Sequence, residues 1–190
     1  MEPVLVLFST NAAHREKLAA AAPDAELFFG ADSIPEERLC QVRAVLGNPS
    51  AALLKKLPAL ELVQLNSAGI GNYADPAVLP EHVVLTNASG AYGPGIAEHM
   101  LGLALGLMKK LHRYRDNQRA GKWLDEGTVS TFIGASVLVV GLGDIGREFA
   151  KRANALGAKV TGIKRTPGIC PEYVERLYTL DKLDDCLPSA

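Results

Sequence analysis

The chain is short of cysteine, of net charge and of long apolar runs, and each shortage narrows what it can be. Cys40, Cys170 and Cys186 are its only cysteines. They are odd in number, far apart and without a C-x-x-C pair, which argues against a disulfide framework or a zinc site and for unpaired thiols in a reducing compartment. Lys plus Arg total 20 and Asp plus Glu total 21, a formal net charge of -1. No global field therefore draws the protein to nucleic acid or an anionic membrane, and a small-molecule partner is expected. The longest all-round apolar stretch, from Met100, stops at Lys109, well short of the roughly 20 residues needed to span a bilayer. Met1-Glu2-Pro3 opens the chain without the basic region of a signal peptide, so a cytoplasmic protein is expected.

What is present suits a packed α/β protein. Hydrophobic residues make up 48% and charged residues 22% of 190 residues, a length between one average domain and two. Short apolar runs alternate with helical patterns. Strands are expected at Val4–Phe8, Glu26–Phe29, Arg43–Leu46, Glu61–Leu65 and Val83–Thr86. Between them fall a helix capped from Ser9, Thr10 or Asn11 and ending by Ala22, a short helix at Glu36–Cys40, and one capped by Ser50 with Leu53, Leu54 and Leu57 on one face. Ser67–Pro80 is rich in Gly, Asn, Asp and Pro and reads as loop. Five strands joined by helical crossovers imply a doubly wound parallel sheet over residues 1–95. One long helix is then expected from Pro94 to Ala120, closed by Gly121 and buried, with Gly102 and Gly106 admitting a close neighbour.

The segment that carries chemistry is Ser136–Thr166. Val137–Val140 is an unbroken apolar run, expected to be a strand buried on both faces. Gly141-Leu142-Gly143-Asp144-Ile145-Gly146 follows at once, and Ile145, Phe149, Ala153 and Leu156 then share a helical face before Gly157. A bare G-x-G-x-x-G is weak, but between a strand and a helix, with a second strand at Lys159–Ile163, it has the context a dinucleotide fingerprint requires. Gly141 permits the turn, Gly143 admits a pyrophosphate to the backbone, and Gly146 lets helix and strand pack closely. The pyrophosphate is then expected on the helix N-terminus, with Asp144 and Ile145 in the same turn. The second strand ends Ile163-Lys164-Arg165-Thr166, with no carboxylate for the ribose hydroxyls of NAD. Lys164, Arg165 and Thr166 suit a 2′-phosphate, so NADP is the expected cofactor, with NAD possible; the alternative for the two cations is a solvated strand end.

Taken in order, Ser67-Ala68-Gly69, Ala97-Glu98-His99, the Gln118–Trp123 segment and the Gly141–Gly146 fingerprint resemble the D-isomer-specific 2-hydroxyacid dehydrogenases, in their glyoxylate/hydroxypyruvate reductase and phosphoglycerate dehydrogenase-like branch. The resemblance covers essentially the whole chain. It implies a flavodoxin-like substrate domain, then a linker helix and the first part of a Rossmann domain over residues 96–190. It also implies hydride transfer between a nicotinamide and a 2-oxo or 2-hydroxy acid. Backbone N–H groups of Ser67, Ala68, Gly69 and Ile70 would hold the substrate carboxylate, and Gly71 stands where relatives commonly carry Asp. Tyr92 is left between facing the interdomain cleft and simple packing. Relatives form homodimers through an arm matched by Lys109–Arg119 and Trp123.

The Arg, Glu and His that polarise the substrate and move its proton lie, in that family, in the second half of the Rossmann domain. No residue here is assigned to those roles, and His14, His82, His99 and His112 have no evident Glu partner. The strand count points the same way, since a strand as apolar as Val137–Val140 wants neighbours on both sides. Only Lys159–Ile163 is clearly available downstream; Leu180–Leu187 reads as helix and Pro188–Ala190 as the approach to a further strand. The expectation is a chain that stops before its catalytic residues. A dinucleotide-sensing, corepressor-like protein without turnover is the alternative function.

Overall fold

A computed structural model describes all 190 residues, which divide into two compact units, Met1–Ser89 and Gly90–Ala190. The division falls ahead of residue 95.

Unit 1 is a five-stranded parallel sheet of β1 (Glu2–Val6), β2 (Ala25–Phe29), β3 (Ala44–Leu46), β4 (Leu62–Gln64) and β5 (Val84–Thr86), in the order β2-β1-β3-β4-β5. Register sets Leu5 beside Val45, Val45 beside Val63 and Val63 beside Leu85. The first three are wholly buried, as expected of interior strands covered on both faces. Helices α1 (Ala12–Ala21), α2 (Glu36–Leu39) and α3 (Ala51–Leu54) fall in the crossovers. The Asn11 side chain accepts from the His14 N–H at 2.9 Å and Ser50 Oγ from the Leu53 N–H at 3.2 Å, satisfying donors that a helix start leaves unpaired. Strand order reverses at β1/β3, the place where α/β sheets open a crevice at the C-terminal ends of their strands. β1 begins and ends two residues before Val4–Phe8, although the Leu7 N–H still donates to the Leu46 carbonyl at 2.7 Å.

At the opposite end of the sheet, Arg43 gives Nε and Nη2 to Glu61 at 2.9 and 2.7 Å and Nη1 to Glu2. One guanidinium thus links the N-terminal ends of β1, β3 and β4. Hydrogen bonding to Arg43 holds the Glu61 carboxyl below the usual carboxylate range, and the two carboxylates raise Arg43.

Unit 2 holds α4 (Gly93–Met108), α5 (Leu111–Arg119), β6 (Ser136–Val140), α6 (Asp144–Ala155), β7 (Lys159–Lys164), β8 (Arg176–Thr179) and α7 (Leu183–Cys186). Its sheet is parallel, in the order β6-β7-β8. Several expectations are corrected here. The single helix from Pro94 to Ala120 is two, broken where Lys110 takes φ 54, the only non-glycine residue with positive φ. Side-chain ties accompany the break: Lys109 Nζ donates to the Ser130 carbonyl at 2.7 Å and Lys110 Nζ to that of Glu126. Nor is α4 buried. Leu101, Ala104, Leu105 and Met108 pack on the core of the unit, but Leu103 is 57% and Leu107 67% exposed, and no atom stands close to Gly102 or Gly106.

The strand β6 is not buried on both faces either. It pairs only with β7, Val139 is buried and Val140 is 56% exposed. The additional strand β8 lies beyond β7, on the far side from β6. On α6 the buried residues are Ala150 and Ala153, with Ile145 and Phe149 half-buried and Leu156 39% exposed. Leu180–Leu187 forms a turn-helix run, and Leu187–Ser189 forms a 3-10 turn. No helix is long and apolar enough to cross a membrane, and no group of His, Cys, Asp or Glu could hold a metal ion.

Candidate functional site

The turn after β6 is shaped by its glycines. Gly141 has φ +99, a conformation that L side chains rarely adopt. The Gly141 and Leu142 N–H groups both donate to the Ile163 carbonyl, at 3.0 and 2.9 Å, tying the turn to the end of β7. Leu142 is buried beneath it, and a Cβ on Gly146 would stand 2.2 Å from the Gly141 oxygen. Helix and turn therefore approach to a distance that only glycine permits. Gly143 is different: nothing lies within 4 Å of a Cβ placed there, so its missing side chain leaves open space.

The first intrahelical bond of α6 runs from the Arg147 N–H to the Gly143 carbonyl at 3.0 Å. The preceding N–H groups, from Gly143 to Gly146, donate to nothing within the chain, and no side chain caps them. The one carboxylate at hand, Asp144, instead accepts from the Gly90 N–H at 2.9 Å. Uncovered donors at the positive end of a helix dipole, with no Cβ at Gly143, form a cradle into which a pyrophosphate fits.

At the end of β7, Lys164 is half-buried and Arg165 and Thr166 are exposed. Lys164 folds back over the following loop, its Nζ 3.0 Å from a Cβ placed on Gly168. A cavity of about 210 Å³ opens beside them, lined by Thr166, Pro167, Gly168, Leu177, Tyr178 and Thr179. Of the three strand-end residues only Thr166 lines it. The contribution of Leu177–Thr179 was not legible in the sequence because β8 was not.

In unit 1 the loop after β4 is held by its carbonyls. Ser67 O accepts from the Ala88 N–H at 3.0 Å, Ala68 O from Asn87 Nδ2 at 2.8 Å and Gly69 O from Ser67 Oγ at 2.8 Å. The N–H groups of Ser67, Ala68, Gly69 and Ile70 make no such bonds. Acceptors are used by the fold and donors are left over, the arrangement that receives an anion. Asn48, after β3, braces the loop through Nδ2 to Ser67 Oγ at 3.2 Å and Oδ1 to the Asn66 N–H at 3.1 Å. Asn48 and Asn87 were missed in the sequence; their only signal was an Asn shortly after an expected strand. Gly71 has φ +52 and opens a 3-10 turn, Gly71–Ala74, whose Tyr73 hydroxyl donates to the Pro49 carbonyl at 2.7 Å. Burial raises that hydroxyl above the usual tyrosine range.

His14, His82, His99 and His112 are all exposed and none uses its ring in a hydrogen bond. A surface cavity of about 540 Å³ is lined by α5 and the segment after it, including Tyr114, Gln118, Lys122 and Trp123. It holds no acid–base pair.

Residues 101–190 match the family described as D-isomer specific 2-hydroxyacid dehydrogenase, NAD binding domain. Glyoxylate/hydroxypyruvate reductase A of Arabidopsis thaliana is 32% identical over 154 residues, covering 77% of this chain and 49% of the relative. A D-3-phosphoglycerate dehydrogenase of Mycobacterium tuberculosis is 30% identical over 178 residues, 93% of this chain and 31% of the relative. Among solved structures, a D-isomer specific 2-hydroxyacid dehydrogenase family protein of Aeromonas salmonicida superposes over 100% of this chain and 62% of its own, with a TM-score of 0.85 at 29% identity. A second, from Xanthobacter autotrophicus in complex with NADPH and MES, covers 100% and 62%, with a TM-score of 0.78 at 26% identity. The chain spans half the length, or less, of the curated relatives described here.

Proposed function

The chain belongs to the D-isomer specific 2-hydroxyacid dehydrogenase family, and from that premise we propose that it serves an NADP-preferring reductase of small 2-oxo acids. The observation that carries the reading is the uncapped set of N–H donors from Gly143 to Gly146, set in a turn that Gly141 and Gly146 make possible. When bound, the nicotinamide cofactor supplies or accepts the hydride exchanged with the substrate's C2. The chain's own part is binding and orientation. Gly141, Gly143, Asp144, Ile145 and Gly146 form the turn that takes the pyrophosphate. Lys164, Arg165 and Thr166 take the 2′-phosphate, the positive charge of Lys164 and Arg165 and the hydroxyl of Thr166 favouring NADP over NAD. Ser67, Ala68, Gly69 and Ile70 offer main-chain donors to the substrate carboxylate, as residues of a substrate domain over residues 1–95, with the cofactor domain over 96–190.

No residue of this chain is assigned to holding or moving the substrate proton. Turnover is therefore expected only where further sequence supplies the family's Arg, Glu and His. The second reading is a dinucleotide-sensing protein that binds without turning over. A homodimer fits the exposed apolar face of α4 and the exposed Trp123, and three unpaired thiols fit the cytoplasm.

Fluorescence titration with NADPH and NADH, beside a reductase assay of the chain extended by the sequence carrying the family's Arg, Glu and His against a panel of 2-oxo acids, tests the proposal. Tighter binding of NADPH with turnover of glyoxylate- or hydroxypyruvate-sized acids supports it. Binding without turnover selects the sensing alternative, and no binding refutes both.

A further inference from the structure

Asp144 occupies a variable position of the glycine-rich turn and is the first residue of α6. A carboxylate there would ordinarily be drawn to the free N–H groups of its own helix. In this structure it is committed elsewhere. Its Oδ2 accepts from the N–H of Gly90, the first residue of unit 2, at 2.9 Å. The backbone around Gly90 is fitted to that bond: Gly90 has φ +92, and Gly93, buried, would place a Cβ 2.9 Å from Asp144 Oδ1 and 3.1 Å from Glu148 Cγ. Farther along the same two helices, Arg152 of α6 pairs with Glu98 of α4 and with Glu148. The start of α4 is thus fastened to the start of α6 through one side chain that also stands beside the anion cradle.

We propose that Asp144 is a positioning residue with two opposed effects: its carboxylate anchors Gly90 and so leaves the donors of α6 uncovered, while its negative charge weakens the binding of the anion those donors receive. The inference rests on the dinucleotide reading above. Two partly exposed like charges a few ångströms apart at a protein surface repel by an amount equivalent to about three- to tenfold in Kd, and salt screens that repulsion.

The two effects separate by substitution. Asp144→Asn keeps an oxygen for the Gly90 N–H and removes the charge; Asp144→Ala removes both. NADPH titration of the wild type and both variants at low and high salt is combined with amide exchange at Gly90. The Asn variant is expected to bind NADPH about three- to tenfold more tightly at low salt, with the difference closing at high salt and Gly90 exchanging as in the wild type. In the Ala variant the Gly90 amide is expected to exchange faster. Equal Kd values for wild type and Asn variant at low salt, or unchanged Gly90 exchange in the Ala variant, overturn the inference alone. Failure of all three proteins to bind NADPH overturns the dinucleotide reading and this inference with it.

Discussion

Gly146 leaves no room for any side chain, since a Cβ there would meet the Gly141 oxygen at 2.2 Å and Val139 Cγ1 at 3.2 Å. The nearer contact is main chain and cannot swing aside. Gly146→Ala is expected to destabilise unit 2 by about 3 kcal/mol and to abolish NADPH binding, read by urea denaturation and fluorescence titration. Lys164 and Arg165 call for a different measurement. Lys164→Asp with Arg165→Ala removes the positive charge expected to hold a 2′-phosphate, so the preference should move towards NADH; an unchanged ratio of NADPH to NADH affinity refutes their assignment. The glycines were legible in the sequence because their demands are local, set by a turn and a close approach within six residues. Asn48 and Asn87 were not, because each acts on a loop about 19 residues away along the chain and an Asn after a strand serves equally as a turn former.

Secondary elements respond to different forces. The Arg43 bridge joins three strand ends at an exposed edge, and its contribution follows the ionisation of Glu61. Because the folded-state pKa of Glu61 is lowered, the stability it adds is present above the ordinary carboxylate range and disappears as pH falls through the folded value. Arg43→Met should therefore lower the urea midpoint of unit 1 at neutral pH and leave it close to wild type in strong acid; equal losses at both pH values would exclude the ion pair as the cause. For α4, if the proposed homodimer forms through the face bearing the exposed Leu103 and Leu107, changing both to Glu is expected to shift it from dimer to monomer in sedimentation, with its helical content retained. A helix apolar on every side announces burial but not by what, and these residues leave Leu103 and Leu107 exposed. The break at Lys110 had no Gly or Pro to signal it, and its tethers at Glu126 and Ser130 lie 16 and 21 residues on. The strand β8, Arg-Leu-Tyr-Thr, is too short to show a period.

At the scale of the molecule, the parallel α/β character of both units was readable from alternating apolar runs and crossovers, because parallel strands impose helix-length connections. That β6 finds one partner within these residues was readable too, because Lys159–Ile163 was the one strand clearly available downstream. If Arg, Glu and His are supplied by further sequence, a protein containing them should reduce 2-oxo acids while residues 1–190 alone show no turnover under the same assay; measurable turnover by the 190 residues would overturn that division of roles. The loop at Ser67–Ile70 carries one more consequence. Its leftover donors are main chain, and main chain survives every substitution except proline. Mutational drift can reshape the walls around such a loop, but the donors it offers are inherited with the backbone.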